Sequence, residues 1–211
     1  TASGNLLALI NNVLDLSKIE SSNLSIESLP IDISKIVRDV MKILGPKATA
    51  KGIRVSTNID EQIPSKVMGD ELRLTQILLN LLGNAVKFTD NGSIDITCNL
   101  AQGTDKKKDY ISFSITDTGI GVEKDKQKSI FERFTQANSD TQRLYGGTGL
   151  GLNITRSLVD LYGGNLNMKS EPGKGTTFNF ILPFKRYVES KGFLLTQALT
   201  IDIVLSVYTN T

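Results

Sequence analysis

The sequence predicts an α+β fold in two layers, with about three helices on a mixed five-stranded sheet and one further helix in front of them. Apolar residues recur at helical spacing in several separate stretches, and other stretches alternate apolar with polar residues, as strands with one buried face do. Glycine and proline mark several of the boundaries. A layer of helices packed on one sheet buries both kinds of apolar surface.

Residues 5–20 are predicted to form the first helix, because they carry a wide apolar stripe at steps of three and four residues. The stripe consists of Leu6, Leu7, Leu9, Ile10, Val13, Leu14 and Leu16. Such a stripe must be buried against another helix, which a second chain or a further segment would supply. The alternative is a helix that docks on its own domain.

Pro30 marks a break in the pattern, and residues 32–51 are predicted to form the second helix, with one apolar side. The Gly45-Pro46 pair is expected to kink or end this helix. Residues 53–59, IRVSTNI, alternate as a strand does.

Residues 70–89 are predicted to form the third helix, with two different faces. Its apolar stripe, expected to face the core, consists of Leu74, Leu78, Leu81, Ala85 and Phe88. A continuous polar stripe runs beside it and consists of Arg73, Gln76, Asn80, Asn84 and Lys87. Amide oxygens suit Mg²⁺, and a lysine one turn away suits phosphate. The alternative is that the two asparagines are exposed or cap a neighbouring loop. A side chain at Gly83, between them, is expected to crowd either surface.

The remaining elements complete the sheet. Residues 93–100 and 110–117 alternate as the two strands of a hairpin. Residues 123–148 are polar and are predicted to be a mobile segment with a short helix. Residues 149–164 are predicted to begin with glycines and to continue as a helix with a glycine stop. Two closing strands are predicted at residues 165–171 and 176–183.

Composition excludes several classes of function. A net charge of +2 on 211 residues gives no electrostatic case for nucleic acid. The chain contains no histidine, which excludes Ser-His-Asp catalysis and imidazole acid–base chemistry. Because Cys98 is also its one cysteine, the ligands that structural zinc needs are lacking. Cys98 alone forms no disulfide within the chain and fits a reducing compartment. Without an 18-residue apolar run or a signal peptide, we expect no direct membrane contact and a cytoplasmic location, or one in the cytosolic part of a membrane-bound receptor.

Two glycine-rich stretches bear on ligand chemistry. DTGIG, residues 117–121, places a carboxylate at a strand end, where it can accept a hydrogen bond from an exocyclic amine such as that of adenine; an ordinary turn uses the same residues. YGGTGLGL, residues 145–152, comes directly before a helix, whose N-terminal N–H groups favour phosphate. The spacing fits neither a Rossmann fingerprint nor a Walker A loop. A Ser/Thr-type protein kinase would need a His-Arg-Asp loop, which a chain without histidine cannot supply.

In this order and spacing, the asparagine stripe and the glycine-rich stretches resemble the ATP-binding catalytic domain of sensor histidine kinases. NLLGNAVKF is similar to the family's N box, DTGIG to its G1 box, FERF at 131–134 to its F box and GGTGLGL to its G2 box. GKGT at 173–176 is similar to the last glycine motif. LINNVLDLSKIES, residues 9–21, resembles the second helix of the dimerisation and phosphotransfer hairpin of hybrid kinases. The resemblance covers about residues 5–184 and implies a Bergerat-type α/β sandwich.

The resemblance implies a role for individual residues. Asn84 would hold Mg²⁺ between the phosphates of ATP with Asn80 in support, and Lys87 would contact phosphate. Asp117 would read the adenine amino group, with Thr176 near it through water. Residues 123–148 would form a lid. The other residues implied to bind ATP are Gly119, Ile120, Gly121, Phe131, Phe134, Gly146, Gly147, Thr148, Gly149, Leu150, Gly151 and Leu152.

Two departures from the family pattern affect catalysis. The histidine that receives phosphate would lie on a helix before residue 1, so this chain is not expected to phosphorylate itself on histidine. Many family members also have an arginine where this chain has Gln136, so Arg133 or Arg143 would contact the γ-phosphate instead. The implied catalytic residues are therefore Asn80, Asn84, Lys87, Arg133 and Arg143.

The resemblance also implies a domain organisation and partners. Residues 1–29 would be the C-terminal part of the hairpin, residues 30–187 the catalytic domain, and residues 188–211 a tail or linker. The full hairpin would form a homodimer through residues 5–20, and a receiver domain would be the downstream partner.

Three functions are considered, and the complete set of nucleotide motifs favours the first. The first is a histidine kinase domain that transfers the γ-phosphate to a histidine supplied from elsewhere. The second is a degenerate module that binds nucleotide and partners without catalysis. The third is an ATPase of the wider superfamily, whose gyrase and mismatch-repair members carry a glutamate base at the position of Asn80. An amide cannot accept a proton at neutral pH, so Asn80 favours phosphotransfer over hydrolysis.

Overall fold

The structure is a computed structural model of the 211-residue chain, which describes residues 10, 13–19, 21, 24–132 and 149–188. Residues 13–19 are helical. The later elements are β1 (Leu29–Ile31), α1 (Ile33–Ala50), β2 (Arg54–Ile59), β3 (Val67–Gly69), α2 (Glu71–Phe88), β4 (Ser93–Ala101), β5 (Lys108–Asp117), a 3-10 turn (Ser129–Phe131), α3 (Gly151–Leu161), β6 (Asn165–Glu171) and β7 (Gly175–Arg186).

One mixed sheet and a layer of helices confirm the predicted two-layer α+β arrangement. The strand order is β1-β3-β7-β5-β4-β2. Strands β6 and β3 pair with the same edge of β7, β6 with its first residues and β3 with its last two. Only β2 and β4 pair in parallel among the described strands. The sheet has seven strands rather than the five predicted. The sequence missed β1 and β3 because each has three residues, too few for an alternating pattern to stand out.

Within the described ranges, the helices cover one face of the sheet, as is common for antiparallel sheets. In β5 the side chains of Ile111, Phe113 and Ile115 are buried and alternate with more exposed residues. The rings of Phe113 and Phe180 stack with centroids 4.7 Å apart across the β5–β7 pair. The opposite face carries mainly serine, threonine and asparagine, so the helices and the covered face share one core.

Helix α2 lies in the middle of the helical layer, between α1 and α3 and against β5. Asp70 caps its N-terminus by accepting a hydrogen bond from the Arg73 amide at 3.0 Å. The Tyr162 hydroxyl donates to the Asp70 carbonyl at 2.8 Å and ties this end to the end of α3. The start of α2 is therefore fixed from two sides.

Two expectations for the third predicted helix are wrong. Phe88 is only partly buried, because the core face of α2 ends at Val86 and the next turn meets a loop. A Cβ added at Gly83 would meet no atom within 4 Å, so a side chain there enters open space instead of crowding the asparagines. The buried residues of α2 are Leu74, Ile77, Leu78, Leu81, Leu82, Ala85 and Val86.

Helix α1 continues through Pro46 to Ala50, so the Gly45-Pro46 pair does not end it. Pro46 itself is exposed, whereas Leu44 and Ala48 on either side of it are buried. The anchoring of these two residues in the core offsets the one backbone hydrogen bond that proline removes.

The N-terminal helical segment, residues 13–19, docks on α2 through a polar clamp. The Asp15 carboxylate accepts from Arg73 Nη1 at 3.1 Å and from Gln76 Nε2 at 2.9 Å. Leu16 is buried beside it, whereas Val13 and Leu14 are 45% and 53% exposed. The first half of the predicted polar stripe thus holds this segment, and one side of the segment packs on its own domain.

Within the part of the chain that the structure describes, no helix is both long enough and apolar enough to cross a membrane. The predicted lid beyond residue 132 and the tail beyond residue 188 lie outside the described residues.

Cys98 is fully buried, and burial raises the pKa of its thiol to about 12. We expect the folded protein to resist a thiol reagent at pH 8, because the thiol is both protonated and inaccessible. Because the chain has one cysteine, one equivalent should react after addition of guanidinium chloride. Rapid labelling of the folded protein would contradict this packing.

We expect Asp15→Ala to release residues 13–19 from α2, because Arg73 is 14% exposed and loses its carboxylate partner. Hydrogen bonds to charged groups contribute about 1.5–3 kcal/mol, so amide exchange of residues 13–19 should accelerate roughly 10- to 100-fold. Asp39→Ala is the control, because Asp39 pairs with exposed lysines on α1 and its loss should leave this exchange unchanged. Unchanged exchange in Asp15→Ala would show that the clamp does not hold the segment.

Candidate nucleotide site

The end of β5 and the C-terminal end of α2 meet at the predicted site. Asp117 is the last residue of β5, and the following loop folds against Phe88, the last residue of α2. The Ile120 amide donates to the Phe88 carbonyl at 3.2 Å. A Cβ at Gly119 would lie 2.4 Å from the same carbonyl oxygen, so only glycine permits this approach.

Asp117 is 7% exposed and is held by backbone amides. Its Oδ1 accepts from the Gly119 amide at 2.9 Å and from the Thr176 amide at 3.2 Å. Both bonds go to Oδ1, which leaves Oδ2 to accept a bond from a ligand. Burial raises the pKa of Asp117, and the two amide bonds oppose that rise. The carboxylate is therefore positioned as a hydrogen-bond acceptor in a poorly solvated place.

The loop after Asp117 is closed by the β6–β7 turn. Gly121 has φ +68°, and a Cβ there would lie 2.1 Å from the Glu171 carbonyl oxygen. The Gly173 amide donates to the Ile120 carbonyl at 2.8 Å. The Ile120 side chain is 46% exposed, so it is available for contact with a ligand. The Thr176 hydroxyl lies 2.9 Å from that of Ser170.

Asn80 joins α2 to the start of α3. Its Nδ2 donates to the Gly151 carbonyl at 3.3 Å and to the Thr155 hydroxyl at 3.4 Å. A Cβ at Gly151 would lie 3.4 Å from Asn80 Oδ1, so the two helices approach closely here. With the amide nitrogen so occupied, Oδ1 is the atom of Asn80 that remains to accept a bond or bind a cation.

Asn84 and Lys87 lie further along α2, toward the DTGIG loop, and both are partly buried. The Lys87 ammonium lies 4.6 Å from the centroid of the Phe88 ring. Partial burial lowers the pKa of Lys87. A partly desolvated cation attracts an anion more strongly than one in water does.

The residues around the 3-10 turn form a separate cluster. Phe131 is buried, and the Arg156 guanidinium carbon lies 3.8 Å from its ring centroid. Asn153 Nδ2 donates to the Phe131 carbonyl at 3.0 Å, which joins the turn to α3. A surface cavity of about 430 Å³ lies beside this cluster, lined in part by Arg156 and Leu166, and it shares only Phe131 with the predicted site residues.

Four predicted ligand residues, at positions 149–152, lie at the start of α3. Gly149 has φ +70°, which favours glycine. Leu150 is fully buried in the core, and Leu152 packs partly against the core. The predicted site residues outside the described residues are Arg133, Phe134, Arg143, Gly146, Gly147 and Thr148.

Two contributions to the site were not predicted from the sequence. The Phe88 carbonyl anchors the DTGIG loop, and Lys51 donates to carbonyls around it. Lysine followed by glycine at a helix end is a recognisable signal at Lys51-Gly52. The carbonyls that Lys51 binds, however, lie 35 to 38 residues away in sequence, and no local pattern identifies them.

Among the described residues no three His, Cys, Asp or Glu side chains are placed to hold a metal ion together. The donors available beside the site are instead the amide oxygens of Asn80 and Asn84. Such a donor set suits a hard cation that takes its other ligands from phosphate oxygens and water.

Comparison with known proteins gives close relatives. Residues 69–186 match the family described as Histidine kinase-, DNA gyrase B-, and HSP90-like ATPase. Signal transduction histidine-protein kinase BarA of Escherichia coli (strain K12) is 43% identical over 179 residues, which are 85% of this chain and 19% of BarA. Hybrid signal transduction histidine kinase L of Dictyostelium discoideum is 41% identical over 190 residues, which are 90% of this chain and 11% of that kinase.

A solved structure agrees with these relatives. The crystal structure of full-length ShkA in complex with AMPPNP is 36% identical with a TM-score of 0.74, and the match covers 89% of this chain and 38% of ShkA. The chain spans about a fifth or less of the length of the two curated relatives. The family match extends over more than half of the chain and includes α2, the DTGIG loop and α3. The chain therefore belongs to the Histidine kinase-, DNA gyrase B-, and HSP90-like ATPase family, as an ATP-binding catalytic domain of the sensor histidine kinase type.

Proposed function

We propose that this domain binds MgATP between α2 and the DTGIG loop and transfers the γ-phosphate to a histidine on a helical hairpin. The acceptor histidine is supplied from outside this chain, which contains none. The observation that carries the proposal is the placement of Asp117. Its free Oδ2 lies beside a loop that folds directly onto the end of the helix bearing Asn84 and Lys87.

Asp117 would recognise adenine through its carboxylate. A carboxylate accepts a hydrogen bond from the exocyclic amine of adenine, and the amides of Gly119 and Thr176 fix its orientation beforehand. The partly exposed Ile120 and the half-buried ring of Phe88 supply apolar surface beside it for a flat base.

The residues present fit a magnesium ion. Asn84 would bind the ion through its amide oxygen, and Asn80, one turn earlier in α2, would support it. The ion would neutralise charge on the phosphates and orient them when bound. Lys87 would hold phosphate through its ammonium, with Arg133 or Arg143 at the γ-phosphate.

Transfer is favoured over hydrolysis by the chemistry of Asn80. An amide does not accept a proton from water at neutral pH, so no general base stands at this position. Asn80 Nδ2 is also occupied by the Gly151 carbonyl and the Thr155 hydroxyl, which gives the side chain a positioning role. An incoming imidazole is itself a good nucleophile and requires no such base.

For the whole protein we place residues 1–29 in the phosphotransfer hairpin, residues 30–187 in the catalytic domain and residues 188–211 in a tail or linker. A homodimer through residues 5–20 is supported by the exposure of Ile10, Val13 and Leu14 on the side away from Asp15. A cytoplasmic receiver domain would accept the phosphate from the histidine, as suits a relative named a hybrid kinase.

We expect Asp117→Asn to weaken MgATP binding roughly 10- to 100-fold in calorimetric titration, because an amide N–H₂ opposes the adenine amine. The folded protein should be at least as stable as the original near pH 7, because a buried charge is removed. Since burial raises the pKa of Asp117, the folded protein takes up a proton on this carboxylate at a higher pH than the unfolded chain does, which stabilises the original protein at low pH. The stability advantage of the variant should therefore shrink as pH falls through that raised pKa.

The control for this variant is Asp95→Asn, an exposed carboxylate on the neighbouring strand β4. It should leave MgATP affinity unchanged. Equal MgATP affinity in Asp117→Asn and in the original protein would contradict the proposal that Asp117 recognises the nucleotide.

Phosphotransfer is tested by mixing the chain with a histidine-bearing hairpin of the family and γ-labelled MgATP. We expect an acid-labile label on the hairpin, no label on a hairpin whose histidine is changed to glutamine, and at least about 100-fold less label with Asn84→Ala, because a positioning ligand is lost. Saturating MgATP binding without any label on the hairpin would instead indicate a non-catalytic module.

A further inference from the structure

The C-terminal end of α2 satisfies its carbonyl groups in an unusual way. A helix end leaves its last carbonyls without partners inside the helix. Here the Thr89 amide donates to the Ala85 carbonyl at 3.1 Å, and the Ile120 amide donates to the Phe88 carbonyl at 3.2 Å. The neighbouring carbonyls of Val86, Lys87 and Thr89 all accept from one atom, Lys51 Nζ.

The geometry of Lys51 matches this task. Each of its three carbonyl contacts is 3.0 Å long, which suits the three N–H donors of an ammonium, and the Asp90 carboxylate lies further away, 3.4 Å from the same Nζ. Lys51 is the C-cap of α1, and its own amide donates to the Ala48 carbonyl at 3.1 Å. Its side chain is 35% exposed, so the ammonium is partly shielded from water. A cation at a helix C-terminus also opposes the partial negative charge of the free carbonyls.

The carbonyls that Lys51 holds surround the groups that form the nucleotide site. Lys87 carries the ammonium proposed to bind phosphate. The Phe88 carbonyl lies between two carbonyls held by Lys51, and it receives the amide of the loop that orients Asp117. The close approach of Gly119 to this carbonyl leaves the loop little room to move independently.

We propose that Lys51 is a positioning residue of the nucleotide site, which fixes the end of α2 so that the DTGIG loop and Lys87 meet the ligand in the correct geometry. This inference rests on the proposed binding of MgATP. Lys51 acts through the backbone and does not contact the nucleotide itself.

The experiment compares Lys51→Met with Lys51→Arg in the full chain and uses Lys47→Met, an exposed lysine in the last turn of α1, as control. Affinities for MgATP and MgADP are measured by titration well below the unfolding temperature. We expect Lys51→Met to weaken both nucleotides about tenfold and by the same factor, because the pocket rather than the charge is altered. Lys51→Arg should stay within about threefold of the original protein, because it retains donors for the carbonyls.

A nucleotide-free measurement separates this inference from the proposed function. Amide exchange of Ile120 should accelerate in Lys51→Met, because the Phe88 carbonyl that receives this amide loses its fixed position. If the original chain binds no nucleotide, the proposed function fails, and the exchange of Ile120 still tests the role of Lys51. If Lys51→Met does not fold, Lys51→Gln, which keeps an amide donor, takes its place in both measurements.

Three results would overturn the inference. The first is a folded Lys51→Met variant that binds both nucleotides as tightly as the original protein does, whether or not the amide exchange of Ile120 changes. Lys51 would then contribute to stability but not to nucleotide binding. The second is a much larger loss for MgATP than for MgADP, which would indicate that Lys51 acts through its charge. The third is an equal loss in Lys47→Met.

Discussion

The structure depends on how helix α2 satisfies its polar groups while its apolar face is buried. One face of α2 is buried in the core from Leu74 to Val86. Contacts with other segments or with a ligand can therefore be made only by its polar face and its two ends. Asp70 caps the start, and Lys51 together with the Ile120 amide completes the end. Because the DTGIG loop, which begins at Asp117, donates a hydrogen bond to the last carbonyl of α2, the end of this helix and the candidate site depend on the same contacts.

The polar face of α2 is divided into three parts along its length. Arg73 and Gln76 hold the N-terminal helical segment through Asp15, and Asn80 holds the first turn of α3. Asn84 and Lys87 lie beyond these contacts, at the end of α2 nearest the DTGIG loop. This division explains the asparagine at position 80 in physical terms. A glutamate has no N–H to donate to the Gly151 carbonyl, so an ionised side chain there would repel that carbonyl and would lose the link between the helices.

The sequence predicted the parts of the fold that have a strong period or a strong local signal. Helices α1, α2 and α3 and the β4–β5 hairpin follow from periodicity, and Asp117 follows from its position before two glycines. The three-residue strands β1 and β3 were missed because each is too short to show a pattern, and because their partners, β3 for β1 and β7 for β3, lie far away in sequence. Phe88 and Lys51 were misjudged or missed for the same reason, since a carbonyl acceptor leaves no trace in the residue sequence.

Amide chemical shifts of the ¹⁵N-labelled chain during a titration with MgADP show whether the nucleotide lies between the end of α2 and the DTGIG loop. We expect the largest shifts at Lys87, Gly119, Ile120 and Thr176. We expect little change at Leu166 and Met168, which line the cavity beside Arg156. Large shifts confined to that cavity, with none in the DTGIG loop, would show that the nucleotide binds elsewhere.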